Sequence, residues 1–193
     1  MNHDSYSDAY IGDILANCRT FAFVGASPTE SRPSYFAMKY LMAKGYRVIP
    51  VNPAHAGKEL LGQKIFASLS DIGEPVDVVD MFRTPDAAPE IAREAITIGA
   101  KVMWMQLGVR NDEAARIAED GGLKVVMNRC PKIEYGRLSS EIAWMGVNTR
   151  TISAKRAKNL GGGIQRMALD RSTMAGGTTD AAMRAQKDAA PQE

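Results

Sequence analysis

The stretch Phe21-Ala22-Phe23-Val24-Gly25-Ala26-Ser27 decides the fold class of this chain. Four apolar residues end at a glycine, which is typical of a buried parallel strand that leads into a tight turn. Similar runs that end at small, polar or turn-forming residues recur four times, at 47–51, 76–81, 102–106 and 124–127. The sequence therefore predicts about five parallel strands.

Segments with the apolar spacing of helices lie between these strands. They are predicted over about 35–42, 91–98 and 114–118, and each precedes a glycine that can end a helix. A short strand or loop near 64–66 and a short helix at 68–72 are expected in between. This alternation predicts a doubly wound, Rossmann-like α/β fold with helices on both faces of the sheet. Such sheets bind ligands in the crevice outside the carboxyl ends of their strands.

The charges divide the 193 residues into a body and a tail. The net charge of +2, with 45% apolar and 24% charged residues, fits one globular domain plus extra length. Residues 1–148 carry 16 Lys and Arg against 18 Asp and Glu, whereas 149–193 carry 8 against 4. We expect a short acidic lead at 1–12, a binding domain at 13–148 and a basic, Gly- and Ala-rich tail at 149–193. The tail is interpreted as flexible or docked on a partner.

Several classes of protein are not expected. The start of the chain has Asp4 and Asp8 and no apolar run, and no stretch reaches the ~18 apolar residues of a membrane helix. These features predict a cytoplasmic protein that does not bind a membrane, and the near-neutral net charge of +2 does not favour nucleic acid as a partner. The two cysteines and two histidines lack short ligand spacing, so neither a disulfide framework nor a metal site is expected.

The turn after the first strand indicates a nucleotide other than NAD. It keeps only Gly25 of a G-x-G-x-x-G fingerprint, but Ala26 and Ser27 are small enough for backbone N–H groups to approach a phosphate. NAD sites usually place an acid after the second strand to hold the ribose, and this chain has Asn52 and Pro53 there. Without that carboxylate, a ribose that carries a phosphate is not repelled.

Two arginines offer phosphate ligands at the same edge of the predicted sheet. Arg32 comes five residues after Ser27, and Arg83 directly follows the third strand. A guanidinium presents a planar fork of donors that suits phosphate oxygens. A surface salt bridge is the alternative for each of them.

Six sequence blocks in this order and spacing carry a family resemblance: FVGAS, RPSY, VIPVNP, PVDVVDMFRTP, VMWMQLGV and NRCPKIEY. Together they resemble the single-domain coenzyme A-binding proteins, relatives of the CoA-binding domain of the succinyl-CoA synthetase α subunit, and the match covers roughly 13–137. The resemblance implies a domain that holds free or acylated CoA across the strand ends.

The resemblance also implies a set of contacts. The diphosphate would lie at Gly25, Ala26 and Ser27, with further phosphate contacts from Arg32 and Ser34. The nucleoside would be flanked by Asn52 and Pro53, and the pantetheine arm would pass Phe82, Arg83 and Gln106. Family members often have a basic residue after the NP pair, whereas this chain has Ala54 and then His55. His55 is either a substitute contact to the 3′-phosphate or a surface residue.

The sequence also predicts the reactivity of the two cysteines and the burial of the strand that contains Trp104. Cys130 before Pro131 is predicted to begin a helix, where the positive helix end lowers a thiol pKa, so a mixed disulfide with CoA is a hypothesis. Cys18 is expected to be packed and inert, and the strand with Trp104 to belong mainly to the core.

The residues favour a binding protein over an enzyme. The synthetase resemblance stops before a phosphohistidine domain, and no Ser/His/Asp or Cys/His set follows the strands, so no catalytic residue is predicted. The alternatives are an NAD(P)-dependent oxidoreductase on the same fold, or an interaction subunit that uses the tail. A homo-oligomer or a partner protein held through the tail stays open.

Overall fold

The computed structural model describes residues 2–139, and a five-stranded parallel sheet lies at its centre. The strands of this sheet, in chain order, are β1 (Thr20–Val24), β2 (Arg47–Val51), β5 (Val78–Met81), β6 (Val102–Met105) and β7 (Lys124–Val126). Their spatial order is β2-β1-β5-β6-β7, with every neighbouring pair parallel. The predicted number and direction of the strands are confirmed.

Helices cover both faces of the sheet. They are α1 (Asp8–Asn17), α2 (Pro33–Ala43), α3 (Ala88–Thr97), α4 (Asp112–Asp120) and α5 (Pro131–Leu138). Side chains of α1, α2 and α5 pack in one apolar cluster with Phe21 and Phe23 of β1, and those of α3 and α4 pack in the other with Ala22. Successive strand residues point to opposite faces, so a single strand contributes to both cores. The doubly wound, Rossmann-like α/β class is confirmed.

The third strand of the sheet begins later than predicted, because Asp77 ends the preceding segment. Its Oδ2 accepts hydrogen bonds from the backbone N–H groups of Arg19 (2.8 Å) and Thr20 (3.0 Å). The carboxylate thereby satisfies donors at the start of β1, and β5 begins only at Val78. Between β2 and β5, residues 59–64 form a small hairpin, β3 (Glu59–Leu60) with β4 (Gln63–Lys64). The predicted short helix is a 3₁₀ helix at Leu69–Asp71.

The first helix was not predicted from the sequence. Ser7 is its N-cap, where the side chain accepts a hydrogen bond from the Tyr10 N–H, and Ile11, Ile14 and Leu15 are buried against the sheet. The signal was present, because a serine before apolar residues at helical spacing marks a helix start. The helix begins inside the residues interpreted as an acidic lead.

Some predictions lie outside the described residues: the tail at 149–193 and the last part of the binding domain, 140–148. Within residues 2–139, no helix has the length and apolar character needed to cross a membrane.

Candidate functional site

A pocket of about 760 Å³ lies at the carboxyl ends of the central strands. Its walls come from the turn after β1, the start of α2, the segments after β5 and β6, and the start of α5. Seven of the ten predicted site residues line it: Gly25, Ser27, Arg32, Ser34, Phe82, Arg83 and Gln106. The structure thus brings together residues up to 81 positions apart in the chain, from Gly25 to Gln106, as the rule for parallel sheets predicts.

The turn after β1 is held by internal hydrogen bonds. The N–H groups of Gly25 and Ala26 both donate to the carbonyl of Val51, at 2.8 and 3.3 Å, and the Ser27 N–H donates to Ser34 Oγ at 3.1 Å. Backbone N–H groups expected to approach a phosphate are therefore bonded within the protein, and Ala26 is fully buried outside the pocket lining. The hydroxyl hydrogens of Ser27 and Ser34 are left as donors to a ligand.

Asn52 and Pro53 do not line this pocket. The Asn52 side chain donates to the carbonyl of Ala26 at 2.8 Å and accepts from the Ala54 N–H at 3.0 Å, so it ties the end of β2 to the turn after β1. Pro53 is exposed at the start of a 3₁₀ helix that ends at His55. A contact from these residues to a nucleoside stays a prediction, and the position that holds an acid in NAD sites has a structural role here.

The pocket carries three cations. Arg32 and Arg83 are exposed at its wall, and Lys132 lies in the first turn of α5 on the same cavity. None of the three forms an ion pair among residues 2–139, so their charges are available to a bound anion. Sequence reasoning missed Lys132, although its place just after Cys130-Pro131 at a helix start was a usable signal.

An apolar wall belongs to the same pocket, and Lys132 Nζ lies 6.0 Å from the centre of the Phe36 ring. Phe36 on α2 is half exposed (51%) and lines the pocket, and it is the one exposed large apolar side chain of the described residues. Leu107, Val109 and Ile133 complete this wall. Phe36 was missed because a lone aromatic residue on a predicted helix carries no sequence signal for a ligand.

One pocket-lining residue, Gln106, forms a buried polar pair with Asp80, which does not itself line the pocket. Gln106, only 7% exposed, directs its Nε2 to both carboxyl oxygens of Asp80, at 3.0 and 2.9 Å. Asp80 lies on β5 with no exposed surface, and burial raises the pKa of its carboxyl well above the usual range. Sequence reasoning placed Asp80 in a strand and gave it no role.

Cys130 lines the pocket as the N-cap residue of α5, but the prediction of a lowered thiol pKa is wrong. Burial raises its pKa to about 11, and Asp80 adds to the rise, while hydrogen bonds from the backbone of Ile133 and Lys132 lower it less. Desolvation of the thiolate outweighs the helix end. Cys18 is buried with a raised pKa, in agreement with an inert thiol, and Trp104 is confirmed in the core.

This raised pKa makes a prediction about Cys130 in a Cys18→Ala variant, whose only remaining thiol is Cys130. Reaction with a thiolate-directed alkylating reagent is expected to be slow at pH 7 and to rise about tenfold per pH unit as the thiolate population grows. Mass spectrometry of the alkylated protein between pH 7 and 9.5 measures this, with free cysteine as the control. A rate that is already maximal at pH 8 would contradict it.

A doubly wound sheet with a cation-lined pocket at its carboxyl edge is typical of nucleotide-binding domains. The profile of one protein family, described as a CoA binding domain, matches residues 19–136. The chain therefore belongs to the CoA binding domain family, as its sequence blocks indicated.

Relatives of two sizes are similar to this chain. The uncharacterized protein YneT of Bacillus subtilis is 36% identical over 129 residues, which cover 67% of this chain and 94% of YneT. An ADP-forming acetate–CoA ligase of Archaeoglobus fulgidus is 29% identical over 147 residues, 71% of this chain but only 21% of the ligase.

Solved structures of small proteins are also similar to this chain over nearly their whole length. A hypothetical protein from Pyrococcus horikoshii is 41% identical, with a TM-score of 0.68 over 72% of this chain and 96% of its own length. A Thermus thermophilus protein is 38% identical, with a TM-score of 0.66 over 69% of this chain and 99% of its own. The described domain thus matches whole small proteins and a fraction of a large ligase.

Proposed function

We propose that this chain is a stand-alone protein that binds free or acylated CoA in the pocket and holds it without transforming it. The observation that carries the proposal is the meeting of Arg32 and Arg83, neither of them in an ion pair within residues 2–139, with the hydroxyl groups of Ser27 and Ser34 in one cavity. Guanidinium forks and hydroxyl donors suit the phosphate groups of CoA.

The shape of the pocket supports a ligand with an uncharged arm. Its volume of about 760 Å³ lies within the roughly 300–1,000 Å³ of small-molecule sites. The cations lie beside the apolar wall of Phe36, Leu107, Val109 and Ile133. A phosphorylated nucleotide joined to a neutral pantetheine arm has both kinds of surface.

The side chains of the pocket also support a holding role. Its titratable lining residues, within the described part of the chain, are the three cations and Cys130. The Cys130 thiol has a pKa of about 11, so it is protonated at neutral pH and is a poor nucleophile toward a thioester.

Isothermal titration calorimetry tests the proposal with CoA, acetyl-CoA, NADH and NADPH as separate ligands. We expect saturable binding of CoA or acetyl-CoA with a stoichiometry near one, and no heat from NADH. Incubation of acetyl-CoA with the protein is expected to leave the thioester intact by mass spectrometry. Binding of NADH or NADPH in the absence of CoA binding would favour the oxidoreductase alternative and reject this proposal.

A further inference from the structure

A carboxyl group lies in the apolar centre of the sheet, beneath the pocket. Asp80 belongs to β5, the middle strand, and its in-register neighbours on the two adjacent strands are Phe23 and Trp104. It has no exposed surface, and no cation pairs with it among residues 2–139. Burying a carboxyl group among aromatic rings is unfavourable for stability, so its presence needs another explanation.

The only hydrogen-bond partner of the Asp80 side chain within the described residues is Gln106. The Nε2 of Gln106 lies 3.0 Å from Oδ1 and 2.9 Å from Oδ2 of Asp80. The NH₂ group of Gln106 therefore faces the carboxyl group of Asp80, whose oxygens accept from it. The other amide atom of Gln106, Oε1, is then the atom left for the pocket that this side chain lines.

We propose that Asp80 is a positioning residue of the ligand site, which fixes the amide of Gln106 so that its carbonyl oxygen accepts a hydrogen bond from the ligand. The inference rests on the proposed function, since it assigns the donor to an amide N–H of the pantetheine arm of CoA. With Gln106 Oε1 fixed as an acceptor, the site favours a ligand that places an N–H group beside it. A ligand that places a carbonyl oxygen beside it is disfavoured, because two acceptors would then face each other. Asp80 itself does not contact the ligand.

The variant Asp80→Asn tests this by changing hydrogen-bond character at nearly constant size. An asparagine can donate to Gln106 Oε1, and the Gln106 amide can then rotate and present its NH₂ group to the pocket. We expect the Kd for CoA to rise about tenfold, because the NH₂ group of Gln106 and the amide N–H of the pantetheine arm are both donors and would then face each other. Adenosine 3′,5′-bisphosphate, which has phosphates but no amide, is expected to bind the variant and the wild type equally.

A double-mutant cycle separates positioning from a general structural effect. Gln106→Met removes the amide, and in that background Asp80→Asn is expected to cause no further loss of CoA affinity. Additive losses, an equal loss for adenosine 3′,5′-bisphosphate, or unchanged CoA binding by Asp80→Asn would each overturn the inference. Wild-type protein that binds no CoA would overturn the proposed function and this inference with it.

Hydrogen exchange in the wild type gives a second measurement that does not depend on the folding of a variant. The NMR signals of the Gln106 side-chain NH₂ group, assigned by their loss in Gln106→Met, are expected to exchange slowly with and without CoA, because the group faces Asp80 in a buried site. Rapid exchange in the free protein would show that the NH₂ group faces the pocket and would overturn the inference.

Discussion

Replacing Gly25 with alanine is expected to weaken CoA binding at least a hundredfold and to lower the Tm. Gly25 has a φ of +90°, and an added Cβ would lie 2.9 Å from Arg83 Cδ and 3.1 Å from the carbonyl oxygen of Phe82. The arginine side chain can move, but the backbone carbonyl cannot move without shifting the segment after β5. That segment and the turn both line the pocket, so the substitution distorts two of its walls.

Gly45→Ala is the matched control, because Gly45 has nearly the same φ of +85° and no atom within 4 Å of an added Cβ. A positive φ costs a residue with a Cβ roughly 1–3 kcal/mol at either position. Both variants should therefore have a lower Tm than the wild type, but only Gly25→Ala should bind CoA more weakly. Calorimetry and thermal unfolding of the three proteins measure this. Near wild-type CoA affinity in Gly25→Ala would show that the turn does not form the ligand site.

Replacing Arg32 with alanine is expected to raise the Kd for CoA by about tenfold to a hundredfold. A hydrogen bond to a charged group contributes about 1.5–3 kcal/mol, which corresponds to that range. Arg32 lines the pocket and forms no ion pair within residues 2–139. Its removal therefore leaves no carboxylate unpaired, and the change in Kd reports the lost contact with CoA. The affinity of Arg32→Ala should also fall less steeply with added NaCl, because one screened charge pair is missing. Titrations from 50 to 500 mM NaCl measure both effects.

Two further variants show whether the effect belongs to the pocket. Arg93→Ala removes an exposed arginine of α3 that does not line it, and should bind CoA as the wild type does. Arg32→Lys keeps the charge but not the donor fork, and should fall between the wild type and Arg32→Ala. If Arg32→Ala and Arg93→Ala have the same affinity and salt dependence, Arg32 does not contact the phosphates.

The fold and the general location of the site could be predicted because their signals are local. The apolar run at 21–24 and its four later counterparts each indicate a strand within a few residues. Helical connections between successive strands favour parallel pairing, which the structure has. Seven of the ten predicted site residues meet in one pocket for the same reason, since they follow strands or begin a helix. The helix Asp8–Asn17 was missed because its acidic start was interpreted as a lead.

Local sequence was sufficient for the strands, the turn at Gly25 and the position of Arg32, since each depends on residues close together in the chain. The properties of Cys130, Asp80 and Asn52 depend on their surroundings after folding. A helix start predicted a reactive Cys130 thiol, but burial reverses the direction of its pKa shift. The hydrogen bonds that Gln106 donates to Asp80 and that Asn52 donates to Ala26 each join residues 26 positions apart. Desolvation and hydrogen-bond partners are set by every group packed around a side chain, and only the tertiary structure decides which groups those are.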